Sequence, residues 1–229
     1  MNEHDQTASA KAAPGSRLPG VLLRKRLFDL SIAVPLLVVF SPVMAVVFLA
    51  VTLALGRPAL FRQVRPGLHG RPFTLVKFRS MTDARAADGK LKPDGERLPP
   101  LGRLLRRTSL DELPQLWNVL RGEMSLVGPR PLMMEYLPRY SPEQMRRHDV
   151  LPGITGWSQV SGRNNLAWEE KFALDVEYVD RCSLWLDIRI LLRTVRAVTG
   201  AEGVSAPSHF SSPEFMGTAA RERDGKETA

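Results

Sequence analysis

The stretch Leu30–Gly56, "LSIAVPLLVVFSPVMAVVFLAVTLALG", contains no ionisable side chain. As an α-helix it would extend about 40 Å at about 1.5 Å per residue, more than the ~30 Å hydrocarbon core of a bilayer. It reads as a membrane segment. It lies too deep in the chain, and lacks a small-residue cleavage site behind a short apolar core, to read as a removable signal peptide. It is expected to remain in the mature protein.

A single straight span is the ordinary reading of such a segment, and two features weigh against it. Ser41-Pro42 falls in its middle. Pro42 has no N–H for the carbonyl of Val38 and its ring bends the helix, while the Ser41 hydroxyl can satisfy a carbonyl of the preceding turn in lipid. Basic residues also flank both ends: Arg24, Lys25 and Arg26 before, Arg57, Arg62 and Arg65 after. Lys and Arg mark the cytoplasmic side, so a helix that enters and turns back keeps both groups inside. Each arm is shorter than the ~20 residues a span needs. The expectation is a re-entrant helix-break-helix.

Beyond this segment, 229 residues with a net charge of +8 and 44% hydrophobic content suit one globular domain with extra segments. A pI near 10.1 implies anionic partners, among which nucleic acid, anionic headgroups and phosphorylated small molecules all qualify. The single cysteine, Cys182, excludes an internal disulfide, and no Cys/His spacing suggests zinc, so a cytoplasmic setting fits.

"ALFRQV" and "FTLVKFRSM" flank "RPGLHGRP" and predict a β-hairpin with Lys77 and Arg79 ending its second strand. Residues 82–100, polar and broken by Gly and Pro, predict a mobile surface loop. "WEEKFALDVEYVD" and "SLWLDIRILLRTVRAV" predict two helices. In the second, Trp185, Ile188, Leu192 and Val195 share one stripe and Arg189, Arg193 and Arg196 another. That pattern suits equally an interfacial helix and a core helix with a solvated basic face. The fold class is α+β, mainly helical, with a small β-hairpin and interfacial amphipathic helices.

In "RRTSLDELPQLWNVL", Arg106–Leu120, the carboxylates Asp111 and Glu112 stand together. Thr108 and Ser109 each have an acid three residues on, as at a helix start. The ordinary reading is electrostatic, acids in a first turn contributing ~0.3 to 1 kcal/mol. Lys77, Arg79, Arg103, Arg106, Arg107 and Arg130 crowd the neighbouring segments, however, and together describe a polyanion site. Phosphoryl transfer from a nucleotide needs a carboxylate-held divalent metal, cations on the phosphate oxygens, and a base or nucleophile. "GPRP" fixes the backbone around Arg130 for a grip on phosphate, a weak signal alone. "LPGITGWSQVSGRNN" offers Gly153, Gly156 and Gly162 for close approach, and Trp157, Arg163 and Asn164 to stack on or bond a base or sugar; loop packing explains each singly as well. His69 and His148 lack partners at ligand spacing and read as structural or solvated.

"KRLFDL", "SPVM", "LVKFRSM", "RRTSLDELPQLWNVLRGEMSLVGPRPL", "EYLPRYSPEQMRRHDVLPGITGWSQVSGRN" and "WEEKFALDVEYVD" together resemble the bacterial sugar transferases called monotopic phosphoglycosyl transferases, in register from about residue 24 to 204. The likeness is greatest to small single-domain members of the diacetylbacillosamine-1-phosphate transferase type. It implies transfer of a sugar 1-phosphate from a UDP-sugar to polyprenyl (undecaprenyl) phosphate, releasing UMP, as the first membrane step of glycoconjugate assembly. Mg2+ is the implied cofactor. By position, Asp111 is similar to the family's nucleophile, which carries the phosphosugar as an aspartyl intermediate and contacts Mg2+, with Glu112 beside it. Lys77, Arg79, Arg106 and Arg130 are implied to bind phosphate, and Pro131, Gly156, Trp157, Gln159, Arg163 and Asn164 to meet the nucleotide-sugar. Ser158 and Ser161 stand where many relatives have Ala and Asn.

The resemblance also implies a re-entrant helix bent at Ser41-Pro42, at the bacterial inner membrane with the catalytic domain on the cytoplasmic face. The expected division is a tail over 1–20, the re-entrant helix over 21–56, a cytoplasmic catalytic domain over 57–204 and a flexible tail over 205–229. UDP-sugar, polyprenyl phosphate and membrane lipids are the expected partners, nucleic acid is not, and a homodimer is left open. An amidosugar such as diacetylbacillosamine, N-acetylgalactosamine or N-acetylglucosamine is expected. A competing class, a non-catalytic membrane-tethered basic module binding nucleic acid or anionic lipid, accounts for the charge and anchor but gives Asp111 and Glu112 no role.

Overall fold

The computed structural model describes residues 19–162, 166–199 and 214–217. Its first element, α1 (Pro19–Leu55), is one helix that contains Pro35 and Pro42. The expected break into two helices is therefore corrected: helical structure runs through Ser41-Pro42. The physical reason is local. The carbonyl of Val38, which Pro42 cannot serve, accepts the Ser41 hydroxyl at 2.8 Å, so the ladder is mended by a side chain.

Both ends of α1 are fastened to the rest of the protein. Near its start, Lys25 Nζ bonds Asp187 at 2.7 Å and the Val127 carbonyl at 3.1 Å. Arg26 holds the carbonyls of Val119 and Leu120, and Asp29 accepts the Leu126 N–H. At its end, Arg79 Nη2 donates to the carbonyls of Leu55 and Gly56. Ala33 packs with Leu75, Leu116 and Val119, whereas Val47 and Val51 pack with Ala59, Phe78 and Leu105. Val34, Val38, Val39, Val46, Phe48, Leu49 and Leu53 remain exposed, forming an apolar surface of the kind that marks a membrane contact.

The predicted hairpin is present as β1 (Leu60–Pro66) and β2 (Pro72–Phe78), antiparallel with Phe61 opposite Lys77, Gln63 opposite Leu75 and Arg65 opposite Phe73. Directly opposed residues share a face, so Arg65, Gln63, Phe61 and Lys77 all project to one side. The segment after β2 carries a short helix, α2 (Asp94–Arg97), and is closed at its base by Thr82 N–H to Arg97 O and Arg97 Nε–H to Thr82 O, both 2.9 Å. Next come α3 (Pro100–Arg107), a 3-10 turn (Leu110–Glu112), α4 (Gln115–Arg121) and β3 (Ser125–Val127).

A 3-10 segment (Met134–Arg139) and α5 (Pro142–Met145) lead to β4 (Gly153–Thr155), which pairs with β3 in parallel. Glycine makes this pairing possible. A Cβ on Gly153 would lie 2.1 Å from the Gly128 nitrogen, and one on Gly156 would lie 2.3 Å from the Gly128 carbonyl oxygen. The close approach foreseen for Gly153 and Gly156 is thus made by backbone to backbone. The chain continues through α6 (Trp157–Ser161), α7 (Trp168–Arg181) and α8 (Leu184–Thr199).

In α8 the apolar stripe faces outward: Trp185 is 76% exposed and Leu192 and Val195 are each 60% exposed. The opposite face of α8 packs on the core through Asp187, Ile190, Leu186 and Leu191. A buried Asp187 is sustained by Lys25 and by the Tyr178 hydroxyl at 2.7 Å. Within the segment read as a C-terminal tail, Glu214–Gly217 is seated on the protein. Phe215 is buried against Tyr136, Tyr140, Trp168 and Phe172, and Arg139 pairs with Glu214 at 2.8 Å.

Candidate active site

The acid pair sits in a tight turn between two helices. Thr108 ends α3 by donating its hydroxyl to the Leu104 carbonyl at 2.8 Å, and Ser109 adopts a left-handed φ of 56°, an uncommon conformation for a residue with a Cβ. The expected capping arrangement is absent: neither residue caps the following turn, because α4 starts only after Pro114. Leu110 packs with the cluster around Phe78 and Leu105, and Leu113 with the cluster around Leu116 and Val119. Asp111, held between these two anchors, is turned inward and is only 5% exposed.

Asp111 and Glu112 differ sharply in partners. Glu112 receives Arg130 Nη2 at 2.6 Å. Asp111 has neither a hydrogen bond nor an ion pair among the described residues. Burial, and secondarily the charge of Glu112, raise the Asp111 carboxyl above its ordinary value, against the pull of Lys77, Arg106 and Arg130. Burial lowers the Lys77 ammonium below its ordinary value, with Asp111 opposing and Arg106 and Arg130 adding to the effect. Lys77 Nζ lies 5.3 Å from the Phe61 ring centroid. An unpaired buried carboxylate beside Lys77, Arg106 and Arg130 is a candidate functional group.

The other expected phosphate ligands divide. Arg106 borders the site, oriented by Nε–H to Ser80 Oγ at 3.0 Å and Nη2–H to Met81 Sδ at 2.8 Å. Arg79 is not brought to the acids; its guanidinium closes the end of α1. Arg130 is brought there, and its main chain is clamped. The buried Arg147 donates to the Arg130 carbonyl at 2.7 Å and to Asp175 at 2.7 Å, and Asp175 accepts the Ser158 hydroxyl at 2.7 Å. Sequence reading missed Arg147 and Asp175, since no spacing signal links residues 28 positions apart across two loops.

Of the residues implied to meet the nucleotide-sugar, Pro131 is buried directly after Arg130. Gly156 lies on Gly128. Trp157 is turned towards α7 and α8, its Nε1–H on Glu177 at 3.2 Å and its ring 5.0 Å from the Arg193 guanidinium. Gln159 donates to the Ile154 carbonyl at 3.2 Å. Arg163 and Asn164 lie outside the described residues. His148 is buried, its Nδ1 3.2 Å from the Gly67 carbonyl, and burial with the nearby Arg147 lowers it to about 4. It is neutral at physiological pH and structural, as expected.

Residues 21–201 match the family described as "Bacterial sugar transferase". The chain belongs to this family, and it is a transferase. It is 54% identical over 197 residues to the "Uncharacterized sugar transferase EpsL" of Bacillus subtilis (strain 168), covering 86% of this chain and 98% of that protein. It is 42% identical over 196 residues to a "UDP-glucose:undecaprenyl-phosphate glucose-1-phosphate transferase" of Caulobacter vibrioides, covering 80% of this chain and 73% of that protein. An "Undecaprenyl-phosphate glucose phosphotransferase" of Komagataeibacter xylinus is 44% identical over 194 residues, 76% of this chain, which span only 36% of that longer protein.

Proposed function

We propose that this protein transfers a sugar 1-phosphate from a UDP-sugar to undecaprenyl phosphate at the cytoplasmic face of the bacterial inner membrane. The observation that carries the reading is the buried Asp111 carboxylate, which has no hydrogen-bond or ion-pair partner among the described residues, beside Lys77, Arg106 and a Glu112–Arg130 pair. A structural acid would be paired; a nucleophile is kept free.

In the first half-reaction an Asp111 oxygen bonds to the sugar-bearing phosphorus, and the bond from that phosphorus to the bridging oxygen breaks. UMP departs with the electron pair. In the second, an oxygen of undecaprenyl phosphate attacks the same phosphorus, the aspartyl–phosphorus bond breaks, and the carboxylate is restored. Lys77 and Arg106 offset charge on the non-bridging oxygens, while Glu112 holds the Arg130 guanidinium in place for the same task. The two adjacent carboxylates fit Mg2+, which is bound by one or two carboxylates with phosphate and water. Asp111 and Glu112 would hold it, and it would neutralise phosphate charge.

A re-entrant course for α1 is supported by its attachments. Arg26 binds Val119 of α4, and the neighbouring Asn118 binds the main chain of Val76 and Thr74 in β2. Arg79, which follows β2 directly, binds the end of α1. A straight helix from Arg26 to Leu55 would put about 40 Å between anchor points that lie on one small body. Both ends on one face bring a lipid-borne acceptor and a soluble donor to the same level.

The test is UMP release from UDP-sugars with undecaprenyl phosphate and Mg2+, together with acid-quench trapping of a phosphosugar on Asp111. Product accumulating with no adduct on that residue would overturn the mechanism. A screen across UDP-glucose, UDP-galactose and UDP-linked amidosugars identifies the donor.

A further inference from the structure

Beyond flanking the membrane segment, Arg65 has a position in the hairpin that sets it apart. It stands on β1 opposite Phe73, on the same face of the hairpin as Lys77. Its Nε is buried and has no hydrogen-bond partner among the described residues. Among the described residues its guanidinium bonds only the neutral amide oxygen of Gln63, through Nη2 at 2.6 Å. No carboxylate lies within ion-pair distance of it among the described residues.

A half-buried cation without an anion is costly, and proteins retain one where a ligand supplies the charge. Arg65 also faces like charge: burial and the nearby Arg130 both disfavour its protonated form, with Tyr136, Glu135 and Tyr140 opposing them. Arg65 is thus coupled to the acid pair through Arg130, the partner of Glu112, with Glu135 as the carboxylate that opposes this repulsion. Lys77, Arg106, Arg130 and Arg65 outnumber Asp111, Glu112 and Glu135 by one charge, which favours an added phosphate. Gln63 engages Nη2 and leaves Nε and Nη1 without a partner among the described residues.

We infer that Arg65, oriented by Gln63, is a substrate-binding residue that donates a free guanidinium N–H to a phosphate oxygen other than those of the phosphate under attack at Asp111. This rests on the phosphotransferase reading above. The chemistry of a phosphate ester is shared by the nucleotide phosphate that leaves as UMP and by the phosphate of the lipid acceptor. The two are separated by the half-reactions.

The experiment compares wild type with Arg65→Met and Arg65→Lys, purified in lipid nanodiscs, in three measurements. These are the UMP burst on mixing with UDP-sugar alone, turnover as a function of undecaprenyl phosphate, and thermal unfolding. Loss of Arg65 is expected to raise KM for UDP-sugar or for acceptor by at least about tenfold, as for loss of a charge-assisted hydrogen bond. Arg65→Lys should recover part of the loss. The melting temperature should hold or rise, because an uncompensated cation has been removed. A slowed burst assigns the contact to the nucleotide phosphate; an intact burst with a raised acceptor KM assigns it to the lipid phosphate. Either supports the inference. Kinetic constants within twofold of wild type, or a fall in melting temperature that alone accounts for lost activity, overturns it. If wild type itself releases no UMP from any UDP-sugar, the underlying reading fails instead.

Discussion

Replacing Asp111 with asparagine separates a structural acid from a nucleophile, because the two roles predict opposite changes in stability. The side chain is 5% exposed and unpaired among the described residues, and its carboxyl is raised above the ordinary value, first by burial and then by Glu112. A raised folded-state value means that the fold favours the protonated form. The stability it confers is complete below the unfolded value and lost as pH rises through the folded one. At neutral pH the ionised Asp111 therefore destabilises the fold, and an isosteric amide removes that burden. Relief of a strained functional site is commonly worth about 0.5 to 2 kcal/mol. In a chain of this size each kcal/mol moves the melting temperature by about 2 to 4 °C. Asp111→Asn is thus expected to melt a few degrees above wild type at pH 7.5, with the gain shrinking at lower pH, while UMP release falls to background. Thermal unfolding in nanodiscs and the UMP assay on the same preparation make the comparison. A lower melting temperature at neutral pH would show the carboxylate to be a structural anchor of the turn, and full turnover would refute the nucleophile assignment directly.

For the same reason, the acid limb of kcat/KM should lie above the ordinary carboxylate range, rising with pH as Asp111 ionises, and should be visible in a pH–rate profile of the burst phase. Gly153→Ala would set a Cβ 2.1 Å from the Gly128 nitrogen, and is expected to cost at least about 1 to 3 kcal/mol in thermal unfolding; Gly95→Ala, with open space around it, should change stability by less than about 0.5 kcal/mol. Lys77→Gln should lower kcat by about 100-fold or more, whereas Arg79→Gln, which uncaps α1 without touching the acids, should leave kcat per folded molecule within about threefold. In a Cys182→Ser background, Leu23→Cys and Arg57→Cys should both be labelled by an impermeant thiol reagent only from the cytoplasmic side; labelling of either from outside establishes a full span.

The site shows where legibility ends. The sequence marks Asp111, Glu112, Lys77 and Arg106 as chemically unusual, because acids and cations crowded into short segments stand out against any composition. It does not show that Arg79 caps α1 while Arg65, earlier in the same hairpin, comes close to Arg130. Arg79 lies just beyond the end of β2, where the strand's alternation no longer orients it, and Arg65 joins the Lys77 face only through the pairing register of β1 with β2. Trp157 reads as a stacking platform, yet its indole is engaged by Glu177 and Arg193, contacts that depend on how α6 meets α7 and α8.

Local physics was sufficient for the long apolar helix, the hairpin and the acid pair, since each arises from residues adjacent along the chain. Tertiary structure alone decided that Asp111 is unpaired while Glu112 binds Arg130, that Arg147 and Asp175 clamp the turn carrying that arginine, and that the apolar stripe of α8 points outward. Pairing of charges and the choice of an inner face are settled by distances between segments far apart in the chain, and those distances exist only once the parts are packed.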